Sequence, residues 1–310
     1  MPKFSGVIPP LVSPLLASDQ LDVKSVDRIV EHLIAGGVSG LFVLGTTGEG
    51  PSLTYQMRYE MVERTCEAAD GRIPVLVAVT DTSLAESIAL AQHAAECGAA
   101  AVVAAPPFYF DVPQSALQQW FSHLADRSPV PLMLYNMPSC VGVVIDLTVV
   151  NALSHHPNIL GIKDSGGDMA YFEELCKHHR DRDDFVIFMG PEERLAEAVA
   201  LGAAGGVCGG ANLCPEVYSR LYQAAVRNDE NEIRFWNQTI HEIFQTVYRN
   251  EDGIMRLIPG LKHAMALRGL CSPTIAPPLP PLSESHAQKI SRHLEQLVAF
   301  SLTEEIPVVA

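Results

Sequence analysis

A lysine at the end of an apolar run is the residue of this sequence with the clearest chemical potential. The run 159–163 is apolar up to Lys163, and Asp164-Ser165-Gly166-Gly167-Asp168 follows it. A strand that is apolar on both faces is typical of the inside of a parallel sheet, so Lys163 is expected at its C-terminal end, partly out of water. Burial favours the neutral amine, which attacks carbonyl carbons to form Schiff bases. A surface lysine just past a strand is the alternative that this segment alone leaves open.

Three further segments carry polar groups just after predicted strands. The turn 45–50 has the hydroxyls of Thr46 and Thr47 and free amides that can hold a carboxylate, although a glycine-rich turn without a ligand explains it equally well. Tyr135 ends the strand before that of Lys163, where its phenol could pass a proton to a carbinolamine. The glycines after residue 208 precede a predicted helix, whose N-terminus could bind an anion.

Short apolar runs alternate with helical patterns along most of the chain. Strands are predicted at 6–12, 40–44, 74–79, 100–105, 131–135, 159–163, 185–189 and 205–208. Helices are predicted at 22–35, 54–69, 84–97, 113–125, 146–154, 169–179, 192–201 and 215–226. This alternation predicts a parallel sheet, and eight repeats are the number that closes a (β/α)₈ barrel. An open doubly wound sheet is the alternative, but no G-x-G-x-x-G motif opens the first helix.

The predicted fold class is therefore α/β, a (β/α)₈ TIM barrel with a C-terminal helical appendage. The barrel is expected over residues 1–228 and the helical segment over residues 229–310, because the strand signals stop near Asn228. Within that segment, helices are predicted at 232–249, 253–268 and 283–300, with a proline-rich connector at 273–281. Reactive groups of such barrels lie at the C-terminal ends of the strands, which places Lys163 and Tyr135 at one mouth.

Composition limits the partners and the compartment. Lys and Arg number 21 against 36 Asp and Glu, a formal net charge of −15, which argues against nucleic acid and anionic membranes. No apolar run reaches the length of a membrane span. The seven cysteines are scattered and odd in number, without a C-x-x-C motif, and this usage predicts a cytoplasmic protein.

Three motifs in this order on a barrel pattern resemble one known family. They are Gly45-Thr46-Thr47-Gly48-Glu49, Tyr135-Asn136-Met137-Pro138 and Gly161-Ile162-Lys163-Asp164. Together they resemble the dihydrodipicolinate synthase / N-acetylneuraminate lyase superfamily, the class I pyruvate-dependent aldolases, and the resemblance covers the whole chain. It implies a lyase that uses pyruvate or another 2-oxo acid and an aldehyde, with no metal and no organic cofactor.

The same resemblance implies a role for each matching residue. Lys163 would form the Schiff base, and Tyr135 would move protons to and from the carbinolamine and the new bond. Thr46 and Thr47 would bind the pyruvate carboxylate, and Thr46 would link Tyr135 to Tyr109 of a neighbouring subunit. A homo-oligomer, a dimer of dimers, is therefore expected. The further substrate-binding positions are expected at Gly48, Cys208 and Glu192.

One departure from the family pattern bears on the substrate. Synthases of dihydrodipicolinate usually carry an arginine two residues after the proline of the Tyr-Asn-x-Pro motif, where it binds the carboxylate of aspartate semialdehyde. Cys140 occupies that position here, and a thiol offers no bidentate charge-assisted contact. Glu192 and Glu193 resemble an acidic pair that binds sugar hydroxyls in sialic acid lyases, although acidic residues in the first turn of a helix also suit its dipole.

The expected function is a Schiff-base aldolase or lyase that acts on a sugar-derived 2-oxo acid. Three alternatives remain within the chemistry of Lys163: a true dihydrodipicolinate synthase, a dehydratase of 2-oxo-3-deoxy sugar acids, and a pyridoxal phosphate enzyme that uses the same lysine. A non-catalytic sensor of 2-oxo acids is an alternative from another class.

Overall fold

The central element of the structure, a computed structural model that describes residues 4–249 and 257–301, is a curled parallel sheet. Ten strands occur in the described residues: β1 Gly6–Val7, β2 Leu15–Ala17, β3 Gln20–Leu21, β4 Leu41–Val43, β5 Val75–Ala78, β6 Ala101–Ala104, β7 Leu132–Asn136, β8 Ile159–Asp164, β9 Val186–Met189 and β10 Gly205–Gly206. Eight of them form the sheet in the order β1-β10-β9-β8-β7-β6-β5-β4, and every pair is parallel.

The sheet closes on itself just after β1. Pro10 forms a parallel bridge with Phe42 of β4. The Leu11 amide donates to the Phe42 carbonyl at 2.8 Å, and the Phe42 amide donates to the Pro9 carbonyl at 3.0 Å. All eight predicted strands are present in the closed sheet, so the predicted barrel is confirmed. The structure also contains an antiparallel hairpin of β2 with β3, which the sequence interpretation did not include.

Helices surround the barrel and continue beyond it. Their bounds are α1 Val23–Ala35, α2 Tyr55–Ala69, α3 Leu84–Glu96, α4 Gln114–Arg127, α5 Pro138–Val141, α6 Leu147–Leu153, α7 Met169–His178, α8 Leu195–Ala200, α9 Pro215–Arg227, α10 Glu230–Ile243, α11 Leu257–Leu267 and α12 Glu284–Ser301. Side-chain caps start several of them: the Asp22, Thr54 and Ser83 side chains accept from backbone amides of the first turns of α1, α2 and α3.

Some predicted helices differ from the observed ones at their ends. The helix predicted from residue 192 begins as the 3₁₀ turn Glu192–Arg194 and becomes α-helical only at Leu195. The helix predicted at 232–249 is α10 followed by the π-helical turn Phe244–Tyr248. Residues 253–256 of the next predicted helix lie outside the described residues. The short helix α5, directly after the Tyr135-Asn136-Met137 segment, is an addition to the prediction.

The C-terminal helices share one hydrophobic core with the barrel. Trp236, Ile240 and Ile243 of α10 and Leu261 of α11 belong to the same buried cluster as the strand residues. Each strand from β4 to β8 is buried over its full length, as expected for strands that are covered on both faces. The domain division at residue 228 stays a prediction.

Candidate active site

Lys163 and Tyr135 lie side by side at the C-terminal ends of neighbouring strands. They are direct partners in the register of β7 with β8. Both side chains are buried, each with 5% exposure. The Lys163 Nζ lies 4.0 Å from the centroid of the Tyr135 ring and 5.0 Å from that of Phe42. The two aromatic rings meet edge to face at 6.3 Å, so together they fix the position of the amine.

The Tyr135 hydroxyl reaches from the ring toward the turn after β4. It lies 3.3 Å from the Thr46 Oγ1, within hydrogen-bond distance. This contact joins the turn to the strand end that carries Tyr135. The ring of Tyr135 in turn lies against the amine of Lys163. A proton that leaves the phenol can be replaced through the threonine hydroxyl, which both donates and accepts.

Backbone geometry makes the turn 45–50 a tight cradle. Glu49 has a positive φ of 56° in the left-handed region, and its amide donates to the Thr46 carbonyl at 3.0 Å. A Cβ at Gly48 would lie 2.7 Å from the Leu11 carbonyl oxygen, and one at Gly50 would lie 2.0 Å from that of Leu44. Only glycine fits at these two positions. The turn therefore presents Thr46 and Thr47 on a fixed backbone.

A fully buried ion pair anchors this turn to the C-terminal segment. The Glu49 Oε1 and the Lys262 Nζ are in contact, and both side chains are 0% exposed. The Glu49 Oε2 accepts from the Ala276 amide at 2.6 Å, and the Lys262 ammonium donates to the Thr274 carbonyl at 2.8 Å. Burial lowers the pKa of Lys262, and the charge of Glu49 acts against that shift.

Glu192 lies beneath the mouth, and its carboxylate accepts three hydrogen bonds from the protein. The Tyr218 and Tyr248 hydroxyls donate to its Oε1 at 2.7 and 3.0 Å, and the Gly210 amide donates to its Oε2 at 2.8 Å. Burial raises the pKa of the Glu192 carboxyl, while these three hydrogen bonds lower it. Glu192 thus joins β9, the glycines after β10 and the π-helical turn. Its predicted contact with substrate hydroxyls stays a prediction.

Cys208, two residues after β10, is fully buried. Burial raises the pKa of its thiol well above the ordinary value, and the charge of Glu192 adds to this shift. The side chain is therefore a neutral thiol rather than a nucleophile. Its predicted place among the substrate-binding positions stays a prediction.

A hydrogen-bonded pair holds the end of β8. The Asn136 amide donates to the Asp164 Oδ1 at 2.7 Å, and the Asn136 Oδ1 accepts from the Ile145 amide at 3.1 Å. Burial raises the pKa of Asp164, against the hydrogen bonds from Asn136 and Gly166. The pair flanks Tyr135 and Lys163 in sequence, so it fixes both strand ends relative to each other.

One cavity connects most of the predicted site. Its lining includes Lys163, Tyr135, Thr46, Thr47 and Glu192, together with Cys140. Further lining residues belong to the C-terminal segment: Phe244, Tyr248, Arg249, Leu257, Ile258 and Pro259. The structure therefore brings together the predicted nucleophile, proton donor and carboxylate site, and it covers them with helices from beyond the barrel.

Tyr109 stands apart from this cavity. It is 89% exposed, with a φ of 93°, and its ring meets that of Phe110, which is 76% exposed, edge to face at 5.1 Å. Two neighbouring aromatic rings are thus presented to solvent, and the backbone of Tyr109 has a conformation that residues with a side chain rarely adopt. The predicted contribution of Tyr109 to a neighbouring subunit's site stays a prediction.

Several site residues were not predicted from the sequence. Phe42, Lys262, Tyr218, Tyr248 and Arg249 all belong to the site or support it. The sequence around Lys262 could have indicated its role. Apart from its neighbour His263, Lys262 is the one polar side chain in the otherwise apolar stretch Leu257–Leu267. The others are common core or surface residue types, and their roles follow only from the folded chain.

The comparisons with known proteins agree with this geometry. The model of the dihydrodipicolinate synthetase family matches residues 3–297. The chain belongs to this family. The predictions of the family and of a lyase are therefore confirmed. Individual relatives of known name also match nearly the whole length of this chain.

Three relatives illustrate the range within this family. The solved structure of dihydrodipicolinate synthase from Bacteroides thetaiotaomicron is 45% identical, with a TM-score of 0.90, and the match covers 94% of this chain and 98% of that chain. YagE from E. coli K12, solved in complex with pyruvate, is 30% identical with a TM-score of 0.88, covering 95% and 99%. The E. coli (strain K12) protein named probable 2-dehydro-3-deoxy-D-pentonate aldolase YjhH is 32% identical over 287 residues, covering 92% and 93%.

Two structural features are absent from the described residues. No helix among them combines the length and the apolar character that a membrane crossing requires. Within the same part of the chain, no three His, Cys, Asp or Glu side chains are placed to hold a metal ion.

Proposed function

We propose that this chain forms and cleaves carbon–carbon bonds through an imine between Lys163 and the keto carbon of pyruvate or a related 2-oxo acid. The observation that carries this proposal is the arrangement of three groups: the Lys163 Nζ lies 4.0 Å from the Tyr135 ring, and the Tyr135 hydroxyl lies 3.3 Å from the Thr46 Oγ1. A buried amine, a phenol and a hydroxyl relay are the groups that imine formation requires.

The mechanism follows from these positions. The carboxylate of pyruvate binds the hydroxyls and amides of the Thr46-Thr47 turn, which brings the keto carbon to the Nζ of Lys163. The amine adds to that carbon, Tyr135 protonates the resulting hydroxyl, and water leaves as the imine forms. The protonated imine accepts electrons when the Tyr135 phenolate takes a proton from the methyl carbon, and the resulting enamine attacks the aldehyde. Tyr135 protonates the new alkoxide, and hydrolysis of the imine releases the product.

The proposed substrate is a sugar-derived 2-oxo acid. Cys140 lines the cavity at the position where synthases of dihydrodipicolinate usually carry an arginine, and exposed Glu193 lines the same cavity beside Glu192. YagE was solved with pyruvate, and YjhH carries the name of a sugar acid aldolase. The 45% identical Bacteroides relative is named as a dihydrodipicolinate synthase, so that activity is the second candidate.

Exchange of the methyl protons of pyruvate tests the proposed chemistry without an aldehyde partner. An enzyme that forms the enamine exchanges these protons with D₂O, and proton NMR follows the loss of the methyl signal. We expect enzyme-dependent exchange in the unaltered chain and none in Lys163→Ala. A pocket that only senses 2-oxo acids would bind pyruvate without exchange, and this result would overturn the proposal.

Substitution of Cys140 tests the substrate. We expect kcat/KM for condensation of pyruvate with hydroxyaldehydes, or for the reverse cleavage, to exceed that for dihydrodipicolinate formation. Cys140→Arg should shift the ratio toward aspartate semialdehyde by about ten- to hundredfold, the value of a charge-assisted contact. Cys140→Ser is the matched control, since it adds no charge. Efficient dihydrodipicolinate formation by the unaltered chain would favour the second candidate instead.

The proposed assembly is a homo-oligomer in which Tyr109 reaches a neighbouring site, and the proposed location is the cytoplasm. Support for the assembly comes from the exposed pair Tyr109 and Phe110, since large aromatic side chains on a surface are typical of contact regions. The location rests on the cysteine usage alone.

A further inference from the structure

The cavity above Lys163 has two walls of different origin. One is built from barrel strand ends and the segments that follow them, and it carries Lys163, Thr47 and Cys140. The other comes from the C-terminal segment, where Arg249 directly follows the π-helical turn Phe244–Tyr248. This turn follows helix α10 directly and ends it. Here it places an arginine on the rim of the cavity.

Contacts on both sides hold the backbone that presents Arg249. The preceding residue, Tyr248, is buried at 1% exposure, and its hydroxyl donates to the Glu192 carboxylate. From the other side, the Lys289 ammonium donates to the Gln245 carbonyl at 2.6 Å and to the Arg249 carbonyl at 3.2 Å. Arg249 is therefore presented from a defined backbone position, although its side chain is exposed.

The guanidinium of Arg249 lies over an aromatic ring that also lines the cavity. Its Cζ is 5.3 Å from the centroid of the Phe244 ring. A contact with the face of a ring orients the guanidinium and leaves the N–H donors in its plane available. The planar fork of arginine suits the two oxygens of a carboxylate or a phosphate.

Arg249 and Lys163 are the two cationic side chains among the described residues that line this cavity. In the proposed function, Lys163 becomes the imine and the Thr46-Thr47 turn receives the pyruvate carboxylate. A second anionic group on the acceptor would then face the acidic side chains of Glu192 and Glu193 unless a cation offset them. Arg249 is the described lining residue that can supply that charge.

We propose that Arg249 is a specificity-determining residue that binds an anionic group at the far end of the acceptor aldehyde, or the equivalent end of the 2-oxo acid that is cleaved. This inference rests on the proposed function and narrows its substrate class to 2-oxo acids with a second anion, a carboxylate or a phosphate. The anion is recognised from the C-terminal segment and not from the position of Cys140, which lies in the barrel part of the lining.

Pairs of acceptors, one with an anionic group and one without it, test this inference. The carboxylate arm compares 4-oxobutanoate with its neutral amide, 4-oxobutanamide, and the phosphate arm compares glyceraldehyde 3-phosphate with glyceraldehyde, each with pyruvate. We expect the unaltered chain to favour one anionic member by about ten- to hundredfold in kcat/KM, and the arm that shows the larger ratio identifies the anion. Higher salt should reduce the ratio, because the guanidinium is exposed.

Variants of Arg249 assign the preference to this side chain. Arg249→Met should remove most of it, chiefly through a higher KM for the anionic acceptor, with little change for the neutral one. Arg249→Lys should retain part of it, and Arg292→Met, an exposed arginine on α12, is the control that should change nothing.

Two results would overturn the inference. One is an unaltered chain with no preference in either arm, and the other is an Arg249→Met variant that loses activity equally with charged and neutral acceptors. Methyl proton exchange of pyruvate, which involves no acceptor, distinguishes these failures from a failure of the proposed function. The unaltered chain should show that exchange whichever of the two results is obtained.

Discussion

Glu49 and Lys262 form a fully buried ion pair between the turn 45–50 and the C-terminal helical segment. Glu49 is two residues after Thr47, and Lys262 lies on α11, more than two hundred positions further along the chain. The second carboxylate oxygen and the ammonium are bonded to the backbone of the 274–276 connector. The helices beyond the barrel therefore take part in the construction of the active site.

Removal of one partner of this pair should destabilise the fold strongly. Lys262→Met leaves the Glu49 carboxylate buried without a counter-charge, and we expect the free energy of unfolding to fall by about 3–5 kcal/mol. The double variant Glu49→Gln with Lys262→Met should lose less, because no isolated charge remains. Urea unfolding measures both. Arg194→Met, which removes an exposed pair with Glu197, is the control and should cost about 0–1 kcal/mol. Equal losses in the buried and exposed cases would contradict the account.

The raised pKa of Glu192 determines the direction in which its contribution to the free energy of unfolding changes with pH. Because its carboxyl has a higher pKa in the folded chain than in the unfolded one, the folded state binds more protons between these two values. The contribution of Glu192 to the free energy of unfolding should therefore fall as the pH rises through that window. Urea unfolding of the unaltered chain and of Glu192→Gln, each at several pH values from about 4.5 to 8, should show a fall that is smaller in the variant. Identical pH profiles would show that Glu192 does not titrate with folding.

The hydroxyl of Tyr135 should matter for proton transfer more than for packing. Tyr135→Phe keeps the ring beneath Lys163 and removes the hydroxyl that contacts the Thr46 Oγ1, so turnover should fall by about 10²–10⁴ while pyruvate still binds. Thr46→Val should lower turnover and also weaken pyruvate binding, since it disturbs the carboxylate site as well. Steady-state kinetics and pyruvate titration separate the two effects. Normal turnover in Tyr135→Phe would mean that protons reach the carbinolamine by another route.

Hybrid oligomers test whether Tyr109 contributes to the site of a neighbouring subunit. If this exposed side chain completes a neighbour's proton relay, subunits with Lys163→Ala and subunits with Tyr109→Phe are each inactive but together form some intact sites. Mixing and reassembly should restore part of the activity, and native mass spectrometry verifies the hybrids. An absence of activity in verified hybrids would show that Tyr109 acts within its own subunit or only packs.

The sequence predicted the parts of this molecule that local patterns determine. Strand–helix alternation gave the barrel, and the position of Lys163 at the end of an apolar run placed it at the mouth beside Tyr135. Interactions between distant segments could not be predicted in this way. Nothing near Glu49 indicates that its partner is Lys262, and nothing near Phe244 indicates that a π-helical turn places Arg249 on the cavity. Such pairings depend on how the C-terminal segment packs against the barrel.

Covalent trapping tests the central claim most directly. Sodium borohydride reduces an imine to a stable amine, so incubation of the protein with pyruvate and borohydride should add a pyruvate-derived mass to each active chain. Peptide mapping should place that mass on Lys163, and Lys163→Ala and Lys163→Arg should acquire none, because neither offers a neutral amine at that position. A pyruvate-derived mass on another lysine, or no added mass in the unaltered chain, would contradict the mechanism proposed for this site.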